Sequence, residues 1–117
     1  MSGLLSYEAG LAAEAAVARH YARSGRQITA RRWRGSAGEI DLIARDGAEV
    51  IFIEVKQSAT HAQAAEHLTP RQMGRIYESA SEFLAGEPAG QGTDCRFDVA
   101  LVDAIGRIEI LENAFAA

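Results

Sequence analysis

The sequence predicts an α/β protein built on a mixed sheet, and three observations carry that reading. Residues 5–24 are alanine-rich and strongly helical by propensity. Residues 38–57 contain two apolar runs joined by Arg45-Asp46-Gly47-Ala48-Glu49, and Asp-Gly between such runs is a hairpin signal. A second helical segment opening at Thr69-Pro70 then separates this hairpin from another apolar strand, 96–102, which calls for a parallel crossover.

The elements follow in order. In the first helix Ser6 is the expected cap and Gly25 the stop, with Leu11, Ala15, Ala18 and Ala22 as a small-residue stripe against a sheet. Residues 27–34, QITARRWR, alternate as a short strand. Trp33 reads first as core, with base stacking as the functional alternative. Arg31, Arg32 and Arg34 are candidate phosphate contacts, or charges that protect an edge strand. Gly35-Ser36-Ala37-Gly38 is expected to be a flexible entry to the hairpin, about 38–45 with 49–57. Residues 57–68 are polar and weakly periodic, so a mobile loop with at most a helical turn is expected, His61 and His67 lying at its surface. Thr69 caps the second helix and Pro70 fits its first turn. Met73, Ile76, Tyr77, Ala80, Phe83 and Leu84 have core spacing, while Arg71 and Arg75 lie one turn apart on another face and can reach phosphate. Residues 86–93 form a loop, 96–102 and 106–111 are strands, and Asn113-Ala114-Phe115 closes the chain.

Composition bounds the function classes. A chain of 117 residues, 48% hydrophobic and 24% charged, fits one globular domain spanning 1–117. No apolar run approaches the roughly 18 residues of a membrane span, and no signal-peptide pattern opens the chain. A single cysteine, Cys95, excludes an intrachain disulfide and a cysteine-based zinc site, which suits a cytoplasmic location. The net charge of −4 argues against strong nonspecific DNA binding. Six of the twelve basic residues nevertheless fall between Arg19 and Arg34, and Lys56 is the sole lysine. An ammonium where every other basic position carries arginine hints at a need for a compact charge of tunable pKa.

The hairpin carries the chemistry. Side chains alternate along a strand. A two-residue turn at Asp46-Gly47 sets Asp41 opposite Phe52; a loop over 46–49 sets Arg45 opposite Val50 and Asp41 opposite Glu54. Either register puts Asp41, Glu54 and Lys56 on one face. A solvated charge cluster is one reading. The other is a hard-cation site, since Mg²⁺ takes one or two carboxylates and completes its shell with water and substrate phosphate. A neighbouring lysine can then orient or activate water, or stabilise charge on phosphate.

Asp41 followed by Glu54-Val55-Lys56 resembles the D…(D/E)-x-K core of the restriction-endonuclease-like nucleases. Gly38-Glu39-Ile40-Asp41-Leu42-Ile43 with Phe52-Ile53-Glu54-Val55-Lys56 is similar to the YraN-like family of small endonuclease-like proteins, related to Holliday junction resolvases. The resemblance extends to Gly10, Glu14, Ala18, Tyr21 and Gly25, to Arg96-Phe97-Asp98-Val99 and to the Asn113-Ala114-Phe115 tail. It implies an αβββαβ core and Mg²⁺- or Mn²⁺-dependent hydrolysis of DNA. Asp41, Glu54 and the Val55 carbonyl would be ligands, Lys56 the water-positioning group, and Glu14 and Glu39 further acidic candidates. Arg31, Arg32, Arg34, Arg71 and Arg75 would hold nucleic acid, and a homodimer is within the family's range. The chain departs from the family pattern at Ser58, Gln72 and Ile110, where basic or titratable groups are common, which lowers the expected DNA affinity. A non-catalytic module of the same fold, binding DNA or a protein, is the rival expectation.

Overall fold

The computed structural model describes residues 3–115. The elements run α1 (Gly3–Arg23), β1 (Gln27–Gly35), β2 (Gly38–Asp46), β3 (Glu49–Gln57), α2 (His61–Glu66), α3 (Pro70–Ala85), β4 (Cys95–Val102) and β5 (Ile108–Phe115). Among the described residues the strands form one five-stranded sheet in the order β1-β2-β3-β4-β5. Only β3 and β4 are parallel; the other neighbours are antiparallel. The expected αβββαβ order is therefore present, with α2 inserted before α3 and β5 added at the edge.

Alternation along the strands fills both faces of the sheet. Leu42, Ala44, Ile51, Ile53, Ala100 and Val102 pack against Ala13, Val17, Ala18 and Tyr21 of α1. Ile43, Val50, Phe52 and Phe97 pack against Ile76, Ala80 and Leu84 of α3. Ala64 of α2 is fully buried on Val99 and Leu101. Trp33 is core, edge-on to Phe83 at 5.4 Å, and the T-shaped pairing suits the ring quadrupoles.

Five local expectations are corrected. Ser6 lies inside α1 rather than capping it, and the buried stripe is Ala13, Val17, Ala18 and Tyr21, with Ala22 exposed. Tyr21 and Val17 bury more apolar surface than the alanine stripe would, so the helix rotates to place them inward. The hairpin turn is Gly47-Ala48, because Asp46 still pairs with Glu49; Gly47 supplies the positive φ of 61°. The link 35–38 is a tight turn, with Gly35 paired to Gly38. It is held by α3, whose Ser79 hydroxyl donates to Gly38 O at 2.9 Å and whose Glu82 accepts from Ser36 N at 2.8 Å. A Cβ on Gly35 would lie 2.9 Å from Ser79 Cβ, so the glycine is what lets the helix approach. Residues 61–66 form a helix rather than a mobile loop, capped by Thr60, whose side chain accepts from Gln63 N at 3.1 Å. His61 is tied down by the Arg107 carbonyl at 2.9 Å. Finally, β5 runs on to Phe115 rather than ending at 111.

Asp98 is the polar centre of the α1 side. It is fully buried, accepts from Tyr21 Oη at 2.8 Å and from Asn113 N at 2.9 Å, and pairs with Arg96 at 3.0 Å. One carboxylate thus joins α1, β4 and β5. Removing one partner of a buried ion pair leaves the other uncompensated. Asp98→Ala should lower the unfolding free energy in urea by about 3 kcal/mol; a loss below about 1 kcal/mol would mean that Asp98 does not tie these elements together.

Candidate active site on the central hairpin

The ladder between β2 and β3 runs from Asp46↔Glu49 to Leu42↔Ile53 and stops there. Continuing that register sets Asp41 level with Glu54, the second of the two arrangements expected from the turn. Asp41 marks a break in alternation: Ile40 and Ile43 both join the α3-side core, whereas Leu42 and Ala44 join the α1 side. At this break the Asp41 side chain bonds the neighbouring strand itself, Oδ2 accepting from Val55 N at 2.8 Å.

Glu54 lies on the α3 side and is only 6% exposed. Its Oε2 accepts from Gln72 Nε2 at 2.9 Å and lies 3.2 Å from Lys56 Nζ. Its Oε1 is buried without a hydrogen-bond partner. Burial, then the negative charge of Asp41, push the Glu54 carboxyl up to about 8; Lys56 opposes the rise without cancelling it. Gln72 is placed by the start of α3, where Thr69 Oγ1 accepts from Gln72 N at 3.2 Å. In the sequence Gln72 is only a departure from a family pattern; the structure makes it a direct partner of Glu54. No spacing signal could have shown this, because the contact joins β3 to α3.

Two clefts meet at Asp41. On the α3 side one of about 230 Å³ is lined by Gly38, Glu39, Asp41, Glu54, Gln72 and Arg75. On the α1 side one of about 400 Å³ is lined by Tyr7, Gly10, Leu11, Glu14, Arg32, Glu39 and Asp41. The expected acidic residues therefore converge, but on two sides of Asp41. Among the described residues no three acidic, His or Cys side chains are arranged to hold a metal ion by themselves. Glu14 is engaged by Arg32 at 3.0 Å. Burial raises the Glu14 carboxyl above its ordinary range; Arg32 restrains that rise, and Asp41 and Glu39 add to it.

The other sequence candidates separate. Arg34 lies 3.7 Å from Glu39 and is largely exposed. Arg31, Arg71 and Arg75 are exposed, and Arg75 reaches the α3-side cleft. Of the departures, Ser58 is half-buried beside β4, its N–H on the Val102 carbonyl at 3.1 Å, and Ile110 packs on the α1-side core. No described helix is long and apolar enough to cross a membrane.

Fold and site together define an α/β protein whose five-stranded mixed sheet, flanked by helices, presents a carboxylate pair and a lysine at the end of its central hairpin. The chain belongs to the uncharacterised protein family UPF0102, whose model matches residues 13–102. A UPF0102 protein of Cereibacter sphaeroides is 73% identical over 117 residues, covering all of both chains. One of Ruegeria pomeroyi is 60% identical over 113 residues, covering 97% of this chain and 92% of its own length. One of Dinoroseobacter shibae is 47% identical over 104 residues, covering 89% and 78%.

The raised Glu54 carboxyl has a consequence for stability. Between its unfolded value near 4.5 and its folded value near 8, the folded state holds a proton that the unfolded state has released. Stability therefore falls as pH rises through that window and levels off above it. Glu54→Gln should flatten this decline in metal-free thermal melts between pH 5 and about 8; an unchanged slope would mean that Glu54 is not the group responsible.

Proposed function

We propose that this protein is a divalent-metal-dependent nuclease-like enzyme of the restriction-endonuclease-like class, hydrolysing phosphodiester bonds in DNA. The observation that carries the reading is the unpartnered, buried Glu54 Oε1 beside Asp41. Without a cation the carboxyl keeps a proton, which burial and the hydrogen bond with Asp41 hold there; a hard cation in place of that proton would neutralise both carboxylates.

The donor set fits Mg²⁺ or Mn²⁺. Glu54 Oε1, Asp41 and the Val55 carbonyl would hold the ion, whose remaining positions suit water and a substrate phosphate oxygen. Bound there, the ion supplies Lewis-acid polarisation of the phosphate and acidifies water. The chain's own residues do the rest. Gln72 and Lys56 occupy Oε2 and so leave Oε1 as the available donor atom. Lys56 Nζ, 3.2 Å from Glu54 Oε2, would orient the attacking water or bind a phosphate oxygen. Arg75 in the same cleft, with Arg71 one turn earlier, can take the flanking phosphates.

The rival is a non-catalytic module in which Lys56 and Glu54 simply neutralise each other. Their 3.2 Å separation and the absence of a complete three-ligand cluster among the described residues favour it. Metal titration separates the two. By calorimetry Mn²⁺ should bind the wild type and not Asp41→Ala. The affinity should climb as pH rises toward 8, roughly tenfold per unit, because Glu54 must lose its proton to bind. Lys56→Ala should keep Mn²⁺ binding and lose DNA cleavage. Absence of binding in the wild type, with DNA binding intact in Asp41→Asn, would instead establish the non-catalytic module.

A further inference from the structure

The α1-side cleft is not explained by the metal reading. It holds Tyr7, 59% exposed on a helix whose other face packs on the sheet. The Arg32 guanidinium lies 5.7 Å from the centre of the Tyr7 ring, and its Nη1 donates to Tyr7 Oη at 3.4 Å. Arg32 is fixed from the other side by Glu14 at 3.0 Å. Its backbone is in the left-handed region, φ 48°, within a strand and level with Asp41. A residue other than glycine held there needs support from its surroundings, and such strain gathers at ligand sites.

Gly10 is a second, independent observation. It sits in the interior of α1, where glycine costs stability relative to alanine. A Cβ added to it would meet nothing within 4 Å, so close packing does not require the glycine. Its missing side chain widens the cleft.

The charge of the cleft selects the kind of ligand. Glu14, Glu39 and Asp41 line it with one arginine, which disfavours phosphate. An exposed aromatic ring beside hydrogen-bond acceptors suits a nucleobase: its face stacks, and its ring or exocyclic N–H groups donate. Asp41 also borders the α3-side cleft, so a base here and a phosphate there can belong to neighbouring parts of one strand. We infer that the α1-side cleft receives an unstacked nucleobase of the DNA strand on Tyr7, so that the substrate is a strand with unpaired nucleotides rather than an intact duplex. This inference rests on the proposed nuclease reading and names its substrate class.

The test uses a single-stranded 12-mer carrying one 2-aminopurine, with Ca²⁺ in place of Mg²⁺, read by fluorescence and anisotropy. The wild type should quench the 2-aminopurine and bind the single strand more tightly than the same sequence as a duplex. Tyr7→Ala and Gly10→Leu should each weaken single-strand binding about 5- to 150-fold, the range for losing one stacked base. Tyr7→Phe should retain the quenching. Tyr7→Ala and Gly10→Leu should keep the wild-type Mn²⁺ affinity, which checks that they fold and that the metal site is intact. Unchanged DNA binding in Tyr7→Ala and Gly10→Leu overturns the base site and leaves the nuclease reading standing. Failure of the wild type to bind the single strand also overturns it. Loss of Mn²⁺ binding in the wild type strikes the nuclease reading itself.

Discussion

The structure of the site depends on one bond, from the Val55 amide to the Asp41 carboxylate. It lies where the ladder between β2 and β3 ends, just past Leu42↔Ile53. A side chain, rather than a backbone carbonyl, takes up the amide. The strand edge is thereby satisfied without continued pairing, since a buried unpaired N–H would cost about 1–3 kcal/mol. Freed from the ladder, β2 can break its alternation at Asp41, which with Glu39 borders both clefts.

Helix α3 supplies the electrostatics. Thr69 caps it, Ser79 and Glu82 hold it to the turn between β1 and β2, and Gln72 comes to rest on Glu54. The helix removes water from Glu54 and returns only a neutral amide. Lys56 returns a charge, but to the oxygen that Gln72 already serves. The other oxygen receives no donor, and the carboxyl, beside Asp41, holds its proton well above the usual range. This asymmetry, more than the presence of two acids and a lysine, separates the arrangement from an ordinary solvated charge cluster.

Much of this could be read from local pattern. The apolar runs and Asp-Gly announced the hairpin, and Thr69-Pro70 announced the start of α3. The parallel placement of β4 followed from a helix lying between two strands. Local pattern failed where packing decides. The rotation of α1 depends on where Tyr21 meets Asp98, a partner 77 residues away. In the sequence Asp98 is one polar residue in an apolar strand. The α2 segment lacks strong periodicity because only Ala64 is buried, so nothing in its composition set it apart from a loop. The two registers of the hairpin differ only in whether the loop that opens at Asp46 ends at Gly47 or at Glu49, and composition alone cannot choose between them.

The acidic balance of the chain bears on how a nucleic acid would be held. Arg26, Arg32, Arg34, Arg45, Arg96 and Arg107 are each paired with a carboxylate. Exposed charge near the hairpin site therefore comes mainly from Arg31, Arg71 and Arg75, which form no ion pair among the described residues. Few phosphates can be neutralised by so small a set, and each contact contributes roughly one unit of salt slope. On the proposed reading, affinity must come from groups that act at short range: the cation between Asp41 and Glu54, and the stacking surface of Tyr7. Such a protein would hold a strand weakly except where both can be satisfied together. An unpaired nucleotide beside an accessible phosphate offers that combination, and a regular duplex, with its bases stacked inside, does not.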